Sequence, residues 1–219
     1  MEMADAPALL ARGPWSLDRV EATWRDDAYD APQALVDQAD HAIRELAERG
    51  SPAHDGIGAR LAAFEANTAT GTLQLDLQPI RWALRLVPGD ASASVSALCV
   101  IRNHAGEWLA GRRAEWLASW PGRWALGAGG AVDPGENPAQ TLVRETDEEW
   151  AVTPERVQAE ALVRLPHGMV MFIGQAWLAE GAEVTRDHEH DAHAWWPENP
   201  DDWPAEADEP LRRVAHLLR

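Results

Sequence analysis

The sequence predicts an α/β fold in which a sheet is covered by helices, preceded by a smaller N-terminal α+β extension. Apolar strand-like runs at 95–102, 108–112, 157–165, 169–178 and 194–196 are interrupted by helical patterns over 138–150 and 211–218. Strands and helices mixed in this way bury a sheet against helical layers. A run of small residues from Pro88 to Ser94 separates an extension at 1–90, whose role the sequence does not assign, from the main domain at 91–219. The 219 residues are enough to bury a substantial core.

Within the extension, residues 1 to about 30 offer only scattered apolar anchors, Trp15, Val20, Trp24 and Tyr29, and no element is assigned there. From Gln33 to Arg49 the residues Leu35, Val36, Ala39, Ile43 and Leu46 follow helical spacing, and Gly50 follows as a stop. Asp55 is read as the cap of a second helix over Ile57 to Asn67, and the neighbouring His54 makes a weak His-Asp metal pair. Strands are expected over Thr72–Leu77 and Arg81–Val87. In the main domain, a hairpin turns at His104–Gly106, and a second turns through Pro166, His167 and Gly168. Glu180–Asp191 reads as an acidic loop ahead of a short last strand, and Leu211, Val214, Ala215 and Leu218 share one face of a closing helix.

The most informative stretch is Gly130 to Val152. Asn137 as N-cap, Pro138 at the first helical position and Gln140 able to reach back start a helix. Ala139, Leu142, Val143, Thr146 and Trp150 form its apolar stripe. Glu145, Glu148 and Glu149, at i, i+3 and i+4, project from one patch, and Arg144 can pair with Glu148 a turn on. Carboxylates crowded together and partly desolvated repel unless a positive charge offsets them. Oxygen ligands without a thiolate favour a hard cation, Mg²⁺ or Mn²⁺. The small residues Gly127 to Gly130 and Asp133 to Gly135 let a loop fold tightly beside the helix and present backbone groups at close range.

Gly130, Glu136, Arg144, Glu145, Glu148 and Glu149 resemble the Nudix box, a glycine followed at fixed intervals by one glutamate, Arg-Glu and Glu-Glu. The sequence departs from it at Thr146, where an aliphatic is usual, and at Ala151, where glycine is usual. The resemblance implies a Nudix-type α/β/α sandwich with a mixed sheet. It also implies a Mg²⁺-dependent hydrolase that cuts the pyrophosphate bond of a nucleoside diphosphate linked to another group, with Mn²⁺ as an alternative ion. It assigns metal binding to Gly130, Glu145, Glu148 and Glu149, and places the general base at Glu145 or Glu149, ahead of Glu189 on the loop before the last strand, for which His190 could substitute. Glu136 and Arg144 become supports, and Arg112 or Arg113 and Trp124 become substrate-binding residues, with Trp116, Trp120, Trp177 and Trp195 also on segments around the cleft.

Pro166 resembles the downstream proline of ADP-sugar members, and Ala131 stands where many nucleoside triphosphate cleaners carry lysine. ADP-ribose-like diphosphates therefore lead over nucleoside triphosphates. The competing readings are a Nudix-fold sensing or regulatory module without catalysis and an isopentenyl diphosphate isomerase, which shares the fold but uses a catalytic cysteine and a histidine-rich metal site. Cys99, the single cysteine, lies in an apolar run and reads as core.

The net charge of −17 disfavours nucleic acid and other polyanions. All 19 basic residues are arginine, so a Walker A lysine and Schiff-base chemistry are excluded. No apolar run approaches the roughly eighteen residues of a membrane span, and the acidic start does not resemble a secretory signal, so a cytoplasmic protein is expected. The histidines and acids of 187–193 fit no closed tetrahedral zinc pattern. Small-molecule nucleotides are the expected partners, with the extension a candidate dimerisation element for a homodimer, or a lid.

Overall fold

The computed structural model describes residues 7–51, 55–117 and 119–219; His54 lies outside them. The central sheet runs in the order β1 (Ala8–Ser16), β9 (Arg156–Arg164), β10 (Val170–Trp177), β5 (Val95–Arg102), β6 (Trp108–Arg113), β11 (His190–Trp196). Two short strands, β7 (Trp124–Leu126) on β6 and β8 (Ala128–Ala131) on β5, complete eight. β5 and β10 are parallel and the other pairs antiparallel, so the sheet is mixed.

Central strands lie between two apolar layers, which is why they read as continuous apolar runs rather than alternations. Along β5, Ala97, Cys99 and Ile101 enter the layer under α2 (Pro138–Trp150), while Val100 enters the layer containing Trp108, Trp196, Trp203, Ala215 and Leu218. That second layer is closed by α3 (Glu209–Leu217). Helices therefore cover both faces of the sheet.

In the N-terminal region, a three-stranded sheet in the order β2 (Val20–Trp24), β4 (Thr72–Arg81), β3 (Ile57–Asn67) sends Leu73, Leu75 and Leu77 into the α2 layer. β1, preceding it, forms the edge of the central sheet. Helix α1 (Gln33–Glu48) covers the 3₁₀ turn Trp82–Leu86 through Ala39, Leu35 and Ile43, which meet Ile80, Ala83, Leu84 and Val87. Two bonds fasten this region to the loop before α2: the Trp24 indole donates to the Glu136 carbonyl at 2.9 Å and the Asn137 amide to the Val20 carbonyl at 2.7 Å.

The helix expected at 57–67 is instead β3, antiparallel to β4 along its length. Its buried apolar side chains, Ala59 and Leu61, are two apart, a strand period, and pairing with the strongly apolar β4 outweighs the helix propensity of its alanines. Asp55 caps nothing there and pairs with Arg81, at 2.5 Å. The strand expected over 81–87 is mostly the 3₁₀ turn. Val143, placed on the α2 stripe by spacing, is exposed. Strand β6 meets β5 only at Arg102 and Trp108 and pairs mainly with β7 and β11, so those two strands diverge after their turn. The last strand begins at His190, earlier than its apolar residues suggest, because its polar positions follow β6.

Candidate active site

Helix α2 starts as its sequence requires. The Asn137 side chain accepts from the Ala139 amide, and Gln140 reaches back to the Asn137 amide, both at 2.9 Å. Leu142, Thr146 and Trp150 are fully buried against the sheet. Thr146 tolerates its apolar site by donating its hydroxyl to the Leu142 carbonyl at 2.7 Å. The helix ends at Ala151, with φ 48° and ψ 42°, a left-handed turn made by alanine.

The helix then sets its three glutamates in different environments. Glu148 is on the rim, while Glu145 and Glu149 are buried, at 9 % and 4 % exposure. Beneath them runs β8, whose glycines let carboxylates approach backbone. The Gly129 amide donates to Glu149 Oε1 at 2.9 Å, and a side chain on Gly130 would collide with the Glu145 carboxylate. Burial raises the pKa of Glu145, partly offset by Arg144, and raises that of Glu149 well above the ordinary carboxyl value, partly offset by the Gly129 amide.

Arg144 is the brace. Its guanidinium donates to both oxygens of Glu136 at 2.9 and 3.1 Å, to Glu145 at 2.7 Å, to Glu148 at 3.0 Å and to the Ala131 carbonyl at 3.2 Å. Burial alone would raise the Glu136 pKa, but bonds from Arg144, Thr141 and the Asp133 amide hold it below the usual range. One cation thus joins helix, glycine strand and the loop between them.

The loop ahead of β11 is pinned to the end of α2 by backbone bonds from Thr185 to Trp150 and from Asp187 to Glu149, both 2.9 Å. This brings in His190, buried on the Trp150 ring, with Nε2 3.7 Å from Glu149 and Nδ1 3.4 Å from Asp187. Burial lowers its pKa, favouring the neutral ring. Glu189 also lines the cleft, 3.7 Å from Arg113 Nη2.

Together these groups line a cleft of about 600 Å³ whose walls include Arg113, Trp116, Trp120, His167, Met171, Trp82 and Arg85. The structure thus assembles Gly130, Glu145, Glu148, Glu149, Glu189 and Arg113, with Glu136 and Arg144 behind them. Arg112 is elsewhere, pairing with Asp191 at 2.6 Å on the exposed side. Trp124 is also outside the cleft: it packs beside Trp196, ring centroids 5.5 Å apart, on the α3 side of the sheet. Both departures follow from strand alternation, since neighbours on β6 and β7 point to opposite faces. Trp177 lies beneath Arg156, and Trp195 packs against the α2 layer.

Sequence reasoning missed Trp82 and Arg85. Read as a strand, positions three apart face opposite ways; in the 3₁₀ turn they share one side. Their i, i+3 spacing beside buried Ala83 and Leu84 was the available signal. Cys99 is fully buried and absent from the cleft lining, with Thr146 beside its thiol and a pKa pushed up by burial to about 12. Among the described residues, no group of three or more His, Cys, Asp or Glu side chains is gathered as a metal-holding set, and no helix is long and apolar enough to cross a membrane.

An α/β/α sandwich with a carboxylate helix laid over a glycine strand is the architecture of the Nudix class. The chain belongs to the NUDIX domain family, whose model matches residues 93–215, more than half of its length. Isopentenyl-diphosphate Delta-isomerase from Corynebacterium diphtheriae is 36% identical over 59 residues, 27% of this chain; the chain spans about a third, 32%, of that relative's length. Among solved structures, a MutT protein from Methanosarcina mazei Go1 is 25% identical and aligns over 56% of this chain and 92% of its own, with a TM-score of 0.44. The NUDIX domain of Shewanella oneidensis NrtR, complexed with ADP ribose, is 20% identical over 57% of this chain and 88% of its own, with a TM-score of 0.45.

Proposed function

We propose that the protein is a divalent-cation-dependent hydrolase that cleaves the pyrophosphate bond of a nucleoside diphosphate linked to another group. The observation that carries this reading is the burial of Glu145 and Glu149 against the Gly129–Gly130 backbone, at the floor of a cleft large enough for a nucleotide. Two buried carboxylates with raised proton affinity are costly without a cation, and their hard oxygen donors suit Mg²⁺ or Mn²⁺. Glu145, Glu148, Glu149 and the Gly130 carbonyl would hold the ion. When bound, it would neutralise phosphate oxygens and favour attack by water at phosphorus.

The chain's own groups supply the rest. Arg144 and Glu136 fix the carboxylates from behind, as bracing residues at metal sites do. Water attacks one phosphorus as the bond to the bridging oxygen breaks, giving a nucleoside monophosphate and the phosphorylated second group. The water's proton passes to Glu145 or Glu149, with Glu189 as the third candidate. Arg113 on the wall can pair with a phosphate oxygen, and Trp116 or Trp120 can stack on the base.

ADP-ribose-like diphosphates remain the leading substrates, supported by Pro166 and by Ala131 in place of lysine. Isomerase chemistry through Cys99 is disfavoured by the position of its thiol under α2, away from the cleft. The test is product release from ADP-ribose, ADP-sugars, nucleoside triphosphates, dinucleoside polyphosphates and NADH, with Mg²⁺ and then Mn²⁺. Turnover of ADP-ribose or an ADP-sugar above the others supports the reading. Binding without turnover of any compound would replace it with a sensing module.

A further inference from the structure

The family match begins at residue 93, yet part of the cleft wall comes from before it. The 3₁₀ turn Trp82–Leu86 follows β4 and buries Ala83 and Leu84 against α1. Because 3₁₀ residues three apart eclipse one another, that burial turns Trp82 and Arg85 together into the cleft. The Arg85 guanidinium lies 5.3 Å from the Trp82 ring centroid and donates to Ser96 Oγ at 2.7 Å, so its position is fixed from both sides.

Arg85 forms no ion pair among the described residues, and its one side-chain hydrogen bond is to a neutral hydroxyl. Burial depresses its pKa to about 10; the charge of Glu145 partly offsets this, and the nearby positive charge of Arg113 adds to it. A guanidinium carries five donors. Keeping one partly desolvated, unpaired and beside a second arginine is unfavourable for the protein alone. Of the other arginines in the extension, Arg81 pairs with Asp40 and Asp55 and Arg25 with Asp76, whereas Arg12, Arg19, Arg44, Arg49 and Arg60 form no ion pair among the described residues and lie outside the cleft lining. Arg85 is the arginine of the extension that lines the carboxylate cleft, and it does so without an anionic partner among the described residues.

We propose that Arg85 binds the phosphate oxygens of the substrate, so that the region ahead of the family-matched segment completes the site. Phosphate supplies the planar-fork partner and the negative charge that Arg85 lacks. Arg113 shares that role from β6, and Trp82 keeps the Arg85 fork oriented. The inference rests on the proposed hydrolase reading for the identity of the anion, a pyrophosphate group.

The test is calorimetric titration of imidodiphosphate, a non-hydrolysable pyrophosphate, in the presence of Mg²⁺, with thermal melts to verify folding. Arg85→Gln is expected to weaken binding about tenfold to a hundredfold, as loss of a charge-assisted hydrogen bond does, and to raise KM for the best substrate more than it lowers kcat. Arg85→Lys, which retains charge and stem without the fork, is expected to fall between the two and serves if the Gln variant does not fold. Affinity within twofold of wild type in the folded variants would overturn the proposal while leaving the hydrolase reading intact. Failure of wild type to bind imidodiphosphate while it turns over a nucleotide would overturn the Arg85 proposal alone, and failure to do either would overturn both.

Discussion

Gly130 and Glu145 are placed so that any side chain at position 130 would overlap the carboxylate at 145. The glycine is needed for space, since its φ lies outside the left-handed region. Gly130→Ala is therefore expected to displace Glu145 and lower kcat by roughly 100-fold or more, since a displacement of about 1 Å can cost that much. The clash is with the movable end of one side chain, so the fold should lose less than the roughly 1–3 kcal/mol typical of core overpacking. Steady-state kinetics with denaturant melts would check both; unchanged kcat would mean that the Glu145 position does not matter to turnover.

At Ala151 the position that is usually glycine carries a methyl group in a left-handed conformation. An L-residue there costs about 1 kcal/mol relative to glycine, partly offset by glycine's greater freedom when unfolded. Ala151→Gly should raise unfolding free energy by up to about 1 kcal/mol without changing kcat. Urea unfolding reads this directly, and a destabilised variant would contradict it.

Cys99 yields a prediction in the alkaline range. Its folded-state pKa, pushed up to about 12, exceeds that of an unfolded cysteine. The folded protein therefore keeps a proton that the unfolded chain loses, and stability falls as pH rises above roughly 8.5 until pH passes the folded value. Compared with Cys99→Ala, wild type should lose about 1.4 kcal/mol more per pH unit between roughly pH 9.5 and 11. Equal slopes would show that the thiol is not shielded. The same burial predicts no reaction with a thiol reagent at pH 8 until the protein is unfolded.

Cation binding should appear in stability as well as in rate. A ligand at about 100 times its Kd adds roughly 2.7 kcal/mol, or a few degrees in Tm for a chain of this size. Mg²⁺ or Mn²⁺ should raise the Tm of wild type and leave that of Glu145→Gln/Glu149→Gln nearly unmoved. Equal shifts in both proteins would place any bound ion elsewhere.

Much of the main domain was legible because its signals are local. Asn137, Pro138 and Gln140 specify the start of α2 within a few residues, and β5, β9 and β10 are apolar on both faces. The extension was not, because its structure depends on distant partners. The scattered apolar residues of β1 become ordered only as an edge against β9, and those of β3 only against β4. At the site, box spacing located Glu145, Glu148 and Glu149, yet could not distinguish an exposed Glu148 from a buried Glu149. Spacing also could not separate Arg113, which faces the cleft, from Arg112, which faces Asp191, because that depends on strand register. Arg85 enters through tertiary packing of a turn onto α1.

The most direct test of metal-dependent water attack at phosphorus is turnover in ¹⁸O-water, with mass spectrometry of the products, using ADP-ribose and wild type beside Glu149→Gln. Incorporation of one ¹⁸O into a phosphate group of the product, abolished by chelation and reduced by orders of magnitude in the variant, is the predicted result. Turnover that persists in chelator, or is unaffected by loss of the Glu149 carboxylate, would contradict it.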